Sequence, residues 1–162
     1  LYISGPTSNG DGAIDCDGDA VITGGTVAAA GSSGMAENFN DGSTQGSILL
    51  NLGSTQSGEI VLKDESGNVL LRYTPVKSYQ SVTLSCSGLK KGGTYTITAG
   101  SYETTVTLES LIYGSGIGGG TPGGNTAPGG NQGGAAGGNQ SDRPEMPNGT
   151  APSGGKNDRP QA

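Results

Sequence analysis

The residues with the clearest chemical potential lie in one short acidic stretch. From Asn9 to Asp19 the chain reads Asn-Gly-Asp-Gly-Ala-Ile-Asp-Cys-Asp-Gly-Asp. Carboxylate oxygens on turns, with glycines that let the backbone curl around an ion, are the ligands that Ca²⁺ requires. Neighbouring carboxylates also repel one another unless a cation lies between them. The stretch therefore predicts a calcium site formed by its four acidic residues, Asp11, Asp15, Asp17 and Asp19.

The spacing of these acids excludes an EF-hand loop. Counted from Asp15, the sixth position is Ala20 and the twelfth is Thr26, where that loop needs Gly and Glu. A structural interpretation stays open beside the calcium hypothesis, because Asp and Gly are turn formers and acidic turns keep an edge of the molecule soluble.

Other site chemistry is limited by composition. The chain contains no His, which excludes Ser-His-Asp and Cys-His catalysis within it. Cys16 and Cys86 lack CxxC or zinc-site spacing, so we predict two separate small side chains that are buried or semi-buried, with a disulfide between them as the alternative. The six tyrosines could offer stacking surface for sugars, and we expect most of them to pack within strands instead. Tyr2 is the exception and the candidate carbohydrate-binding residue.

The charge of the chain is unevenly distributed. The net charge is −6, and residues 1–41 contain six acids without a Lys or Arg, whereas charges balance in residues 42–113 and in residues 114–162. A negative protein repels phosphate backbones, so we predict no nucleic-acid partner. No apolar run approaches the ~18 residues that span a bilayer, so we predict no transmembrane segment.

Residues 1–41 carry the pattern of a parallel β-solenoid. Ala20–Gly31 is interpreted as two short strands joined by a corner at Gly24 and Gly25. The segment starting at Leu1 also aligns with the one starting at Thr26, an offset of 25 positions, and periods in the twenties are typical of solenoid coils. Such short strands need neighbouring coils, so we predict the terminal rungs of a truncated solenoid. Met35 and Phe39 are expected to cover its last rung.

Residues 42–113 predict a small antiparallel β-sandwich, because strand-length apolar segments alternate with turn signals. The predicted strands are Ser47–Leu52, Glu59–Lys63, Val69–Thr74, Ser81–Cys86, Thr94–Thr98 and Thr104–Leu108. Leu89–Tyr95 resembles the corner at which sandwich domains pin a Tyr hydroxyl to upstream backbone. Residues 114–162 are rich in Gly, Pro and Asn and predict a disordered tail.

Several motifs together resemble one protein family. They are Asn9-Gly-Asp-Gly-Ala-Ile-Asp15, Val21-Ile-Thr-Gly-Gly-Thr-Val27, Ala29-Ala-Gly-Ser-Ser-Gly-Met-Ala36, Gln45-Gly-Ser-Ile-Leu49 and Lys90-Lys-Gly-Gly-Thr-Tyr-Thr96, with the closing Gly-rich tail. Residues 1–113 thereby resemble the C-terminal end of bacterial secreted carbohydrate-binding proteins, which are right-handed parallel β-helices similar to polysaccharide lyases. The resemblance implies an extracellular or cell-surface protein, Ca²⁺ on the acidic edge, and cellulose-like or acidic glycans as ligands.

Three functions are compatible with these residues. The leading hypothesis is non-catalytic, calcium-dependent binding of plant cell-wall polysaccharide. A pectate-type lyase is the alternative, but its Lys or Arg base would have to lie upstream of Leu1, because residues 1–41 contain none. A purely structural surface protein or adhesin is the third hypothesis.

Overall fold

A computed structural model of the chain describes residues 1–8 and 10–114, which form an all-β fold. Within these residues there is no helix, and hence none long and apolar enough to cross a membrane. The predicted tail lies outside the described residues except for its first residue, Gly114. The nine strands are β1 (Tyr2–Ser4), β2 (Val27–Gly31), β3 (Ser47–Gln56), β4 (Ile60–Asp64), β5 (Val69–Tyr73), β6 (Tyr79–Ser85), β7 (Thr94–Ala99), β8 (Tyr102–Thr107) and β9 (Ile112–Tyr113).

The strands form two open sheets. One has the order β1-β2-β6-β3-β9, and the other has the order β5-β4-β7-β8. The six strands predicted in residues 42–113 are confirmed as β3 to β8, with shifted ends. Neighbouring strands among β3 to β8 are antiparallel, whereas β9 pairs in parallel with β3 and β1 in parallel with β2.

The two sheets pack on each other across the main core. Alternation decides which side chains enter it, because successive residues of a strand point to opposite faces. In β7, Tyr95 and Ile97 are buried and the threonines that alternate with them are half-buried. In β6, Val82 and Leu84 lie in the same core. Each sheet therefore contributes one apolar face.

Strand β2 is buried on both faces and separates two clusters of side chains. Ala28 and Ala30 belong to the main core, whereas Val27 and Ala29 belong to a second, smaller cluster. Small alanines suit this position because both faces are closely covered. On its two edges β2 pairs with β1 and with β6. The five-stranded sheet therefore continues across the predicted domain boundary between residues 41 and 42.

Residues 1–24 and 26–45 lie against one another as two successive, parallel segments. Tyr2 is in register with Ala28, and Asp11 forms a parallel bridge with Met35. Further along, the Glu37 amide donates to the Ile14 carbonyl at 3.1 Å. The Asn40 and Thr44 amides donate to the carbonyls of Ala20 and Ile22 at 2.7 and 3.0 Å. The offset falls between 20 and 26 positions, close to the predicted 25. We call residues 1–45 the coil segment.

The second cluster fills the interior of the coil segment. It is built from Ile22, Val27 and Ala29, with Ile3, Ala13, Ile14 and Phe39 packed around them. Phe39 thus covers the cluster as expected, whereas the Met35 side chain is exposed. The predicted strand at residues 20–23 is absent, and that prediction was wrong. Its physical reason is that the Ile22 amide donates to the Ser43 hydroxyl at 3.0 Å rather than to a strand partner.

A polar layer joins the coil segment to the outer face of β6. The hydroxyls of Ser81 and Thr83 donate to the carbonyls of Ser32 and Glu37 in this segment, at 2.7 and 3.1 Å. The Ser85 hydroxyl donates to the carbonyl of Gly46, immediately after the segment, at 2.7 Å. The buried Asn38 side chain joins the coil segment to β9 and β3, because its amide group donates to the Tyr113 carbonyl at 2.7 Å and its oxygen accepts from the Ser47 hydroxyl at 2.6 Å. No buried side-chain N or O atom in residues 1–8 and 10–114 lacks a partner.

The Tyr corner predicted before β7 is confirmed. The Tyr95 hydroxyl donates to the Gly88 carbonyl at 3.0 Å and accepts from the Lys90 amide at 2.7 Å. Gly92 has a φ of 83°, which favours glycine, and a Cβ at Gly93 would collide with the Tyr95 hydroxyl. This explains the Gly-Gly pair that precedes β7.

Candidate functional site

The four predicted calcium ligands are all exposed but lie in two places along the coil segment. Asp15, Asp17 and Asp19 share one turn between Ile14 and Ala20. Asp11 lies before that turn, where its carbonyl accepts from the buried Ser32 hydroxyl at 2.7 Å. The exposed placement of residues 15–19 follows from the sequence, because Asp-Cys-Asp-Gly-Asp contains no large apolar side chain to bury. We call residues 15–19 the acidic turn.

The acidic turn is held by two residues of the following segment. The Cys16 amide and thiol both donate to the Glu37 carboxylate, at 2.9 and 3.2 Å. The Asn40 side-chain amide donates to Asp19 at 2.5 Å. Glu37 thus adds a carboxylate beside the acidic turn. The sequence did not predict this position for Glu37. Its oxygen Oε2 is already engaged by Cys16.

The Cys16 thiol is exposed and hydrogen-bonded to the Glu37 carboxylate. The hydrogen bond to Glu37 raises its pKa above the ordinary value, and desolvation and the charges of Glu37, Asp15 and Asp17 add to this effect. A thiol held in its protonated form is a poor nucleophile and a poor metal ligand. Cys86 is buried in the main core, and both cysteines are free. The prediction of two separate side chains is confirmed, but Cys16 is exposed rather than buried or semi-buried, because it lies among the acidic residues of an exposed turn.

The carboxylates suit Ca²⁺ in their chemistry, because hard oxygen ligands are what this ion prefers. In the described residues, however, no three His, Cys, Asp or Glu side chains converge in a group that could hold a metal ion. Their charge is also uncompensated. The one ion pair among residues 1–8 and 10–114 joins Arg72 to Glu59 at 2.9 Å, outside the coil segment. The first basic residue of the chain is Lys63.

Tyr2, the predicted carbohydrate-binding residue, lies at the margin where the two sheets meet. It is 56% exposed, and its ring contacts that of Tyr73, with centroids 5.3 Å apart and planes tilted by 44°. Tyr2 belongs to the edge strand β1 and Tyr73 ends the edge strand β5. The connection from β5 to β6 passes this margin, where the Lys77 amide donates to the Ser4 hydroxyl at 3.2 Å.

The other four tyrosines are structural, as expected for strand residues. Tyr79 and Tyr95 are buried, and their hydroxyls donate to the carbonyls of Gly58 and Gly88. Burial raises the pKa of the Tyr79 hydroxyl above its ordinary value. Tyr102 and Tyr113 are partly buried and pack against the main core. Tyr2 is therefore the most exposed aromatic side chain in the described part of the chain.

Comparison with known proteins returns no relative from which a function could be transferred. No family model matches the chain, and no curated protein or solved structure matches it significantly. The function is accordingly inferred from the residues of the chain itself.

Proposed function

We propose that this chain is a non-catalytic module that binds plant cell-wall polysaccharide with the help of Ca²⁺. One observation carries the proposal: Asp15, Asp17 and Asp19 lie exposed on one turn, and no basic residue occurs between Leu1 and Leu62 to neutralise them. Neighbouring like charges without a basic partner favour the uptake of a cation. Tyr2 provides an exposed aromatic face on the same coil segment.

Calcium binding would require the acidic turn to rearrange, because the carboxylates do not converge in the described residues. Such a rearrangement lowers the affinity, so we expect weak binding, with a Kd on the order of 10⁻⁴–10⁻³ M, as in extracellular calcium modules. A bound Ca²⁺ ion would offset two of the three negative charges of Asp15, Asp17 and Asp19. Its remaining positions could take oxygen atoms of a glycan, since Ca²⁺ accepts six to eight ligands.

The fold proposal that accompanies this function is that the coil segment is the end of a right-handed parallel β-helix. Its support is the set of parallel backbone contacts that runs from the β1–β2 pair to the bond between Thr44 and Ile22. Secretion or display at a cell surface belongs to the same proposal, since plant cell-wall polysaccharide is an extracellular ligand.

A structural role is the second candidate, and the polar layer between the coil segment and β6 favours it. Buried hydroxyls that donate to backbone carbonyls fix the two parts in one arrangement. Such a joint would suit a stalk or spacer in a surface protein. A chain with this role alone would bind neither Ca²⁺ nor glycan.

The double substitution Asp15→Asn and Asp17→Asn tests the calcium proposal. The full chain is expected to bind Ca²⁺ in calorimetry with a Kd on the order of 10⁻⁴–10⁻³ M, and to be retained on cellulose or pectin less well after a chelator is added. The double variant should lose the calcium signal, because two of the three carboxylates of the turn become neutral amides.

The matched control is Glu103→Gln with Glu109→Gln, which removes the same charge from exposed residues outside the coil segment. This variant should bind Ca²⁺ as the unmodified chain does. Equal loss in both variants would mean that only net charge matters. Absence of calcium and glycan binding by the unmodified chain would contradict the proposal and leave the structural role.

A further inference from the structure

We propose that Tyr2 and Tyr73 together form a stacking site for the apolar C–H face of a pyranose ring. This inference rests on the proposed polysaccharide-binding function and adds the residue and the ligand chemistry of the contact. Tyr73 is 71 positions from Tyr2 and lies in the other sheet. The site therefore forms only when the two sheets are folded against each other, because each sheet contributes one of the two tyrosines.

The geometry of the pair leaves one ring available. By register with Ala28, Tyr2 belongs to the set of β1 residues that face the main core, yet it lies at the margin and remains 56% exposed. Tyr73 is partly buried and packs against the main core. Tyr73 thus supports the Tyr2 ring from the inside, at a centroid distance of 5.3 Å, within the range for aromatic pairs. The outer side of Tyr2 is left to solvent.

The hydroxyls of the pair point to a polar ligand. The hydroxyls of Tyr79 and Tyr95 donate to backbone carbonyls. Among residues 1–8 and 10–114, neither the Tyr2 nor the Tyr73 hydroxyl has a protein hydrogen-bond partner. A purely apolar partner would cover these hydroxyls without pairing them, which is unfavourable. A pyranose ring offers an apolar face and a rim of hydroxyl groups, so it matches both parts of a tyrosine.

The surroundings of the pair extend the contact surface. The loop from β5 to β6 lies beside β1, and its Val76 is 89% exposed. Lys77, the next residue, is exposed and has no ion pair among the described residues. A neutral glucan and an acidic uronan share the pyranose face, and the uronan also carries carboxylates that an ammonium group attracts. The experiment therefore uses both.

The test titrates the full chain with cellohexaose and, separately, with hexagalacturonate, each in calcium and in chelator. Tyr2→Ala and Tyr73→Ala are expected to weaken binding by about tenfold or more for whichever sugar binds, a loss of about 1.4 kcal/mol of binding energy. The control Val69→Ala removes an exposed apolar side chain from the same strand as Tyr73 and should leave the affinity for the sugar unchanged. Tyr73→Phe retains the ring and should keep most of the affinity.

The outcomes separate this inference from the function on which it rests. Binding by the unmodified chain with affinities of both Ala variants within about twofold would overturn the Tyr site and keep the function. Loss in the Tyr variants without any calcium effect would support the Tyr site and reject the calcium role. No binding of either sugar would overturn both. Because Tyr73→Ala also removes a core contact, the exposed Tyr2→Ala decides the matter if the former fails to fold.

Discussion

Replacing Leu84 by Ala is expected to lower the free energy of unfolding by about 2–5 kcal/mol, the range for large-to-small changes in a core. Leu84 is fully buried in β6, at the centre of the five-stranded sheet. It is in register with Ala28 on one side and with Ile48 on the other. The cavity would therefore weaken the coil segment and the two-sheet core together.

Chemical denaturation followed by far-ultraviolet circular dichroism measures this loss, and amide hydrogen exchange shows where it falls. We expect a single transition, with protection reduced in β2 and β3 alike, because both pair with β6. The control Thr105→Ala, at an exposed position of β8, should change stability by less than about 0.5 kcal/mol. A loss in β3 with β2 unaffected would contradict a continuous sheet.

The second large effect concerns the two faces of β2. Ala28→Leu and Ala29→Leu are each expected to destabilise the fold by about 1–3 kcal/mol, because extra methyl groups overpack a filled core. Ala28 is 0% and Ala29 is 1% exposed, and they face different clusters. An ordinary sheet with one solvated face would tolerate one of the two substitutions.

Thermal unfolding of the two variants, beside Thr26→Leu as the control, measures this effect. Thr26 is exposed immediately before β2, so a larger side chain there meets solvent. Near-normal stability of Ala29→Leu with a destabilised Ala28→Leu would show that the coil segment does not cover β2. Equal losses at both alanines support the two clusters.

The strands of residues 42–113 could be predicted because their side chains alternate. In β7, Tyr95 and Ile97 face the core and the threonines beside them do not. This period of two is apparent from the amino-acid sequence alone. The Tyr corner could also be predicted from a short stretch of sequence, because Gly88 and Tyr95 are only seven positions apart. Local patterns of this kind need no knowledge of distant partners.

The pairing of β2 could not be predicted, because it depends on a distant partner strand and the residues of β2 do not alternate. Three consecutive alanines carry no alternation, and the partner strand β6 begins 48 residues after β2 ends. The predicted arm at residues 20–23 failed because its backbone is paired by the Ser43 side chain and by single bonds to later residues. Neither contact has a signature in the apolar pattern.

The candidate site likewise has features that could be predicted from the sequence and contacts that could not. Exposure of the acidic turn followed from its composition, but the contacts of Cys16 with Glu37 and of Tyr2 with Tyr73 join distant parts of the chain. The repeat did not identify Glu37, because an offset of 25 aligns Cys16 with Asp41, whereas Glu37 is 21 positions from Cys16. The contact of Tyr73 could not be predicted from its neighbours in the sequence, because the strand pattern is the same whether a tyrosine ring packs in a core or against another tyrosine.

The proposed binding of polysaccharide is tested most directly by mapping the contact on the full chain, labelled with nitrogen-15, by nuclear magnetic resonance. On addition of cellohexaose or hexagalacturonate in calcium, we predict amide shift changes concentrated at Tyr2–Ser4 and at residues 73–77. Removal of calcium should then alter the amides of the acidic turn and weaken the glycan response. Absence of any response, or changes confined to the threonines of β7 and β8, would contradict the account.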